Sequence, residues 1–166
     1  MPIPLDKTWV DQIITALGLN HPRAIQRANV EAAARFYAQD MALTDPIKIA
    51  SHMQGIDLHW PVTRADLLPG TNVVAFRYNP QLRFDRLDPF GEYFTDVGSS
   101  KYDLGIGPDE RRFIRYEVRS RVTALRSRTK TGFVPGFGVV RGGSIQYVIP
   151  RASAHLRVMH IQHAIK

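Results

Sequence analysis

Apolar residues recur at helical spacing through the first third of the chain, and turn-forming residues divide this stretch into three predicted helices. The first helix begins after Asp6, a residue suited to an N-cap, and ends at Gly18. The second covers the alanine-rich stretch after Pro22, and the third begins after the N-cap residue Asp45 and ends at Gly55. We expect the buried face of the second helix to consist of Ile25, Ala28, Ala32, Phe36 and Met41.

From residue 56 onwards, short apolar and β-branched runs alternate with glycine and proline, which is typical of a compact β-rich fold. Strands are predicted at residues 72–78, 91–95, 112–124, 145–149 and 154–162. The strand at 112–124 alternates most clearly, because apolar residues on one face are interleaved with basic residues that we expect to be solvated. Segments 79–90 and 126–144 are expected to be long loops, which in compact domains are often functional.

The change of character at residue 55 divides the chain into a helical N-terminal segment, residues 1–54, and a β-rich domain, residues 55–166. The chain has 166 residues, 44% of them hydrophobic, and no internal repeat, which is ordinary for one globular domain. We therefore expect both parts to belong to one folded unit of the α+β class.

The composition excludes several kinds of site. The chain has no cysteine, which excludes disulfides, thiol nucleophiles and cysteine-based zinc sites. No apolar run approaches the roughly 20 residues of a membrane span, and the N-terminus lacks the pattern of a Sec-type signal. His155, His160 and His163 lie close in sequence, but residues 160 and 163 would point to opposite faces of a strand, and no acidic residue is near. We therefore expect no membrane anchor and no metal site.

The positive charge is concentrated in the second part of the chain. The net charge is +7, and residues 61–166 carry 17 lysines and arginines against nine acidic residues, whereas residues 1–60 carry five against six. Residues 111–130 hold eight basic residues and a single acidic one, Glu117. This charge is compatible with nucleic acid, with a phosphate-bearing small molecule or with an acidic protein as partner.

The common catalytic motifs are missing, since the sequence has neither a G-x-S-x-G elbow nor a G-x-x-x-x-G-K phosphate loop. Polar residues instead interrupt strand-like segments, most clearly Arg77 and Gln146. Taken singly, each is an ordinary outward-facing strand residue. A glycine-rich stretch directly precedes Gln146, and Gly142 and Gly143 within it would let a ligand or a neighbouring backbone approach closely.

The order of these motifs resembles that of bacterial polymorphic-toxin domains of type 46 and, more distantly, of the tuberculosis necrotizing toxin group. The segment GIDLHWPV at 55–62 is similar to the entry segment of the type 46 domains. The further motifs are LPGT at 68–71, RY at 77–78, GEYFT at 91–95, LGI at 104–106 and GGSIQY at 142–147. The resemblance thus covers residues 55–150.

This resemblance implies an ADP-ribosyltransferase-like fold, with an antiparallel β-rich core that binds NAD and often hydrolyses it to nicotinamide and ADP-ribose. No cofactor is implied, because NAD(P)+ is the substrate. The arginine of the first strand would fall on Arg77 and the third motif position on Gln146, where the wider transferase family has a glutamate. The other substrate-binding positions would be Tyr78, Tyr93, Phe94, Thr95 and Gly143.

The resemblance also implies how such a domain is used. Toxins of these groups are delivered into rival cells by contact-dependent or type VI secretion and act in the target-cell cytoplasm. The producing cell carries an immunity protein, which we expect to be acidic because residues 61–166 are strongly basic.

The chemistry of NAD cleavage suits these residue types. The leaving nicotinamide already carries positive charge, so positioning and electrostatics can supply most of the acceleration. Arg77 can hold the pyrophosphate, Tyr93 or Phe94 can stack on the nicotinamide ring, and Gln146 can bind the ribose or orient the attacking water. A glutamine favours hydrolysis by water over transfer to a macromolecule. The alternatives are an ADP-ribosyltransferase that modifies protein or RNA, and a basic toxin that binds nucleic acid or cleaves RNA.

Overall fold

Residues 7–78, 93–98, 111–134, 138–140 and 142–162, which the computed structural model describes, form four helices and nine strands. The helices are α1 (Lys7–Ala16), α2 (Ala24–Asp40), α3 (Pro46–Met53) and the short α4 (Ala152–His155). The strands are β1 (Thr63–Leu67), β2 (Asn72–Tyr78), β3 (Tyr93–Asp96), β4 (Arg111–Val118), β5 (Val122–Arg128), β6 (Gly132–Val134), β7 (Gly138–Val140), β8 (Ile145–Val148) and β9 (Leu156–Gln162).

Seven strands form one sheet in the order β1-β5-β8-β3-β2-β4-β9, and β6 and β7 form a separate two-stranded ladder. Every pairing in both sheets is antiparallel. The predicted α+β class, with helices followed by an antiparallel β-rich core, is therefore confirmed.

A hydrophobic core lies on each face of the seven-stranded sheet. On one face, Leu125 and Val148 lie opposite each other on β5 and β8 and pack with the buried sides of α1, α2 and α3. On the other face, Phe94, Ile114 and Tyr116 belong to a second cluster that includes α4. The helices of the first third thus cover only one face of the sheet.

The first and third helices follow the predictions. The buried residues of α1 include Val10, Ile13 and Ile14, which are spaced to share one face. At the start of α3, the side chain of Asp45 accepts a hydrogen bond of 2.9 Å from the backbone N–H of Ile47, as an N-cap does.

The predicted buried face of α2 is confirmed at Phe36, which is buried, and is wrong at the start of the helix. Ile25 and Ala28 are exposed, whereas Asn29 lies on the buried side of the helix. The Asn29 amide nitrogen donates to the carbonyl oxygens of Leu58 and Trp60 at 2.8 and 2.9 Å, and its oxygen accepts from the N–H of Val62 at 3.1 Å. The face of α2 is therefore decided by the segment that packs on it, whose backbone needs these polar partners.

The strand pattern also differs from prediction in four places. The strand predicted over 154–162 begins only at Leu156, because residues 154 and 155 belong to the short helix α4. The stretch 112–124 is two strands, β4 and β5, because the chain turns around Ser120, where the N–H of Arg119 donates to the carbonyl oxygen of His155 at 2.7 Å. The expected loop at 126–144 is wrong, since it contains the end of β5 and both strands of the small ladder. β1 was not predicted, because TRADL is a polar edge strand without an apolar run.

Several predicted features lie outside the described residues. They are the N-cap at Asp6, the loop at 79–90, the glycine at position 91, the LGI motif at 104–106 and His163.

Candidate functional site

A row of polar side chains crosses three central strands of the large sheet. Gln146 of β8 lies opposite Thr95 of β3 on one side and opposite Ser127 of β5 on the other. Residues directly opposite in antiparallel strands project to the same face, so all three side chains lie on one side of the sheet. They are also buried, with 7% of Gln146, none of Thr95 and 1% of Ser127 exposed.

Hydrogen bonds hold this row in place. The Gln146 amide nitrogen donates to the Ser127 hydroxyl at 3.2 Å, and the Thr95 hydroxyl donates to the carbonyl oxygen of Ile145 at 2.6 Å. Within the described residues the Gln146 amide makes no further hydrogen bond. Its carbonyl oxygen and second N–H can therefore serve a ligand or water.

Sequence reasoning missed Ser127 because residue 127 lies in the stretch that was expected to be a loop. The signal that could have found it is the alternation of VTALRSR, where Ser127 has the same strand parity as the buried Leu125.

The row lies beside the area that the helices cover. Two residues along β3 from Thr95, Tyr93 packs against the helical core, and its hydroxyl donates to the carbonyl oxygen of His52 in α3 at 3.0 Å. The ring nitrogen Nδ1 of His52 lies 3.3 Å from the same hydroxyl. Tyr93 thus joins the strand of Thr95 to the third helix.

Phe94 lies on the other face of the sheet. Its ring meets that of Tyr116 edge to face, with 5.1 Å between centroids and 85° between planes, inside the second core. Stacking of Phe94 on nicotinamide stays a prediction, and it would require the ring to leave this packing.

Arg77 and Tyr78 lie at the end of β2, where their backbone positions are opposite those of Arg112 and Arg111. Val74 of the same strand lies opposite Thr95, so β2 and β8 flank β3. From the usual strand spacing and rise, the backbone of Arg77 is about 14 Å from that of Gln146. The fold brings these two positions into one region of the sheet without making them neighbours.

The glycines before Gln146 have different environments. Gly142 has a φ of +66°, and a Cβ added there would collide with the carbonyl group of Lys130. Gly143 has a φ of +93° with open space around it, and its N–H donates to the carbonyl oxygen of Thr129 at 2.8 Å. Of the two expected uses of glycine here, close approach of a neighbouring backbone is what Gly142 provides.

Tyr147, the residue after Gln146, points to the opposite face, towards Asp96 and Arg126. Burial, followed by the hydrogen bond with Asp96, raises the pKa of the Tyr147 phenol above its ordinary value. This phenol is therefore protonated at neutral pH and cannot act there as a general base.

Part of the basic surface is neutralised by neighbouring carboxylates. Arg121 pairs with Asp66, and this hydrogen bond, together with one from Thr123, lowers the pKa of the Asp66 carboxyl. Arg157 pairs with Glu117 at 3.2 Å. Such pairing weakens the case for a nucleic-acid interface on this surface.

The described part of the chain lacks a metal-binding cluster and a membrane-spanning helix. It contains no group of three or more histidine, aspartate or glutamate side chains arranged to hold a metal ion. It also contains no helix with the length and apolar character that crossing a membrane requires.

Comparison with known proteins gives matches among solved structures. No protein-family model matches the sequence, and no curated protein matches it. The chain is similar to Tse6 in the structure of Tse6 in complex with Tsi6, with a TM-score of 0.66, 22% sequence identity and coverage of 84% of this chain and 99% of that one. At this identity the similarity establishes a shared fold, so this chain has the fold of Tse6.

A second solved structure, Rhs1-CT in complex with its cognate immunity protein RhsI1, has a TM-score of 0.47 and 16% identity. The match covers 67% of this chain and 85% of that one.

Proposed function

We propose that this chain is an antibacterial toxin domain that hydrolyses NAD(P)+ to nicotinamide and ADP-ribose or its 2′-phosphate. The observation that carries the proposal is the placement of Gln146 in the middle of the sheet, buried between Thr95 and Ser127, with a neutral amide where the wider transferase family has a carboxylate. The resemblance of the motifs around Arg77 and Gln146 to type 46 and necrotizing-toxin domains supports it, as does the fold shared with Tse6.

In the proposed reaction, the bond between the ribose C1′ and the nicotinamide nitrogen breaks, and the electron pair leaves with nicotinamide, which becomes neutral. Water adds to the oxocarbenium-like C1′ and releases a proton. Nicotinamide is a good leaving group because its ring is positively charged before the bond breaks. The protein must therefore mainly position the dinucleotide and stabilise the positive charge that develops on the ribose.

In this mechanism, the two ends of the Gln146 side-chain amide have different roles. Ser127 accepts one amide N–H and fixes the plane of the amide, which leaves the carbonyl oxygen to accept a hydrogen bond from a ribose hydroxyl or from the attacking water. Arg77 binds the pyrophosphate. Tyr78, Tyr93, Phe94, Thr95 and Gly143 remain the other proposed substrate-binding positions.

We also propose a protein partner and a site of action. Tse6 was solved in complex with Tsi6, and this chain is proposed to bind an acidic immunity protein that blocks the NAD site. A domain that consumes NAD in its own cell needs such an inhibitor. The site of action is the cytoplasm of a target cell, reached by secretion or translocation.

The experiment is incubation of the purified chain with NAD+ and with NADP+ in EDTA, with quantification of free nicotinamide and of ADP-ribose or its phosphate. We expect equal amounts of both products from wild type. Gln146→Ala should lose about 10- to 150-fold in kcat, the worth of one hydrogen bond to a charged group. Arg77→Ala should raise KM and lower kcat together, because a pyrophosphate clamp both binds and orients.

Intact NAD+ after prolonged incubation at high protein concentration would contradict the proposed function. Nicotinamide release without free ADP-ribose, with label from biotinylated NAD+ appearing on protein or RNA, would identify the transferase alternative instead.

A further inference from the structure

The register of the sheet continues the row of Gln146 through β3, β2 and β4 to β9. Thr95 lies opposite Val74 of β2, Val74 lies opposite Arg115 of β4, and Arg115 lies opposite His160 of β9. Since each pair is directly opposite, the side chains of Arg115 and His160 lie on the same face of the sheet as that of Gln146. Three strand spacings separate Arg115 from Gln146, which amounts to about 14 Å.

Arg115 and His160 differ in their surroundings from the basic residues next to them. Both are exposed, and within the described residues neither has an acidic partner. Two residues further along β4 from Arg115, Glu117 lies opposite Arg157 of β9 on the same face. These two side chains form an ion pair at 3.2 Å. Among the described residues of this part of the face, the charge without an acidic partner is therefore that of Arg115, and the imidazole of His160 lies directly opposite it.

A β-bulge marks the same place. Arg115 pairs with His160 but the following residue, Tyr116, pairs with Val158, so Met159 is an extra residue in β9. Bulges bend a strand and redirect the side chains beside them, and they are frequent next to binding sites. Here the bulge falls directly beside Arg115 and His160.

We propose that Arg115 and His160 form a phosphate-binding subsite that takes a phosphate group of the dinucleotide whose ribose is held at Gln146. This inference rests on the proposed function for the identity of the ligand. A dinucleotide is an elongated anion, and Arg77 is already assigned to its pyrophosphate. The phosphate at Arg115 is therefore the 2′-phosphate of the adenosine ribose, and the subsite makes NADP+ the preferred substrate over NAD+. Guanidinium and imidazole N–H groups both donate to phosphate oxygens.

The test compares Arg115→Gln and His160→Gln with a matched control, Arg157→Gln, which removes one positive charge from a neighbouring position that is already paired. For Arg115→Gln we expect KM for NADP+ to rise about 10- to 150-fold, with KM for NAD+ and both kcat values within about twofold of wild type. His160→Gln, which removes one ring N–H donor, should show the same selectivity with a smaller factor. Arg157→Gln should be indistinguishable from wild type.

A rise of KM for NAD+ equal to that for NADP+ would overturn the assignment of the 2′-phosphate to this subsite, because NAD+ lacks that group. The inference is overturned if neither KM changes, or if Arg157→Gln has the same effect as Arg115→Gln, since a general loss of positive field would then explain the result. Unchanged circular dichroism and melting temperature establish that Arg115→Gln folds.

A second measurement separates this inference from the proposed function. Calorimetric titration of the full chain with adenosine 2′,5′-bisphosphate requires no turnover, and we expect affinity to fall about 10- to 150-fold in Arg115→Gln. If Arg115→Gln loses this binding while the wild-type protein leaves both NAD+ and NADP+ intact, the hydrolase is refuted and the subsite stands. If wild type hydrolyses NAD+ and Arg115→Gln binds adenosine 2′,5′-bisphosphate as tightly as wild type, the subsite is refuted and the hydrolase stands.

Discussion

The hydroxyl of Tyr93 in β3 donates a hydrogen bond to the backbone carbonyl oxygen of His52 in α3, with 3.0 Å between the two oxygen atoms. Tyr93, which is proposed to bind substrate, thus also connects strand β3 to the third helix. The two roles can be told apart, because the hydrogen bond needs the hydroxyl and stacking needs only the ring.

Tyr93→Phe therefore should affect stability and leave substrate binding unchanged. Loss of the hydrogen bond costs about 0.5–1.5 kcal/mol, and in a chain of this size each kcal/mol lowers the melting temperature by about 2–4 °C. KM for NAD+ should stay within about twofold of wild type. A melting temperature equal to that of wild type, measured by thermal circular dichroism, would contradict the structural role, and a raised KM would show that the hydroxyl contacts substrate.

Ser127→Ala should disturb Gln146 without touching substrate. The buried amide N–H of Gln146 would lose its acceptor, which costs about 1–3 kcal/mol, and the amide would no longer be held in one plane. We expect kcat to fall several-fold with little change in KM. Ser120→Ala, at an exposed serine in the turn between β4 and β5, is the control, and equal effects of the two substitutions would contradict a positioning role.

Gly142 and Gly143 form a matched pair for testing backbone crowding before Gln146. Both have a positive φ, so an alanine at either position costs about 1–2 kcal/mol. At Gly142 the added methyl also collides with the Lys130 carbonyl, so Gly142→Ala should be clearly less stable than Gly143→Ala. Urea denaturation gives both free energies of unfolding, and equal values would mean that the backbone of Lys130 moves away freely.

The helices and the sheet are proposed to unfold together, since Leu125 and Val148 of the sheet share one core with α1, α2 and α3. Ile13→Ala in α1 should destabilise the chain by about 2–5 kcal/mol. Near-ultraviolet and far-ultraviolet circular dichroism should then report one shared transition at a lower denaturant concentration. Two separate transitions, with that of the sheet unchanged, would show that residues 1–54 are an independent unit.

Association with the proposed immunity protein should depend on ionic strength through its rate of binding. The basic excess of residues 61–166 attracts an acidic surface over long range, and salt screens this attraction. We expect the association rate constant to fall by one or more decades between about 20 mM and 500 mM salt, with a much smaller change in the dissociation rate. Surface plasmon resonance with the partner co-expressed from the neighbouring gene tests this, and a basic partner with a salt-independent rate would refute it.

The local sequence alone determined the first three helices and most of the strands. Asp45 and Pro46 start α3, and Val10, Ile13 and Ile14 define the buried side of α1, because capping and periodicity are properties of residues close in the chain. The alternation around Ile114 and Tyr116 likewise identified β4 and its buried face. The motifs at residues 77 and 146 are local features too, which is why they were found without any knowledge of the fold.

Only the tertiary structure decided which of these features meet. The face of α2 depends on the backbone of Leu58 and Trp60, which Asn29 must satisfy, and no periodicity within α2 carries that information. The row from Ser127 through Gln146 to Arg115 and His160 is set by strand order and register, which join residues from six strands. Because register arises from pairing between distant strands and from the burial of one shared face, it is absent from any single segment of the sequence.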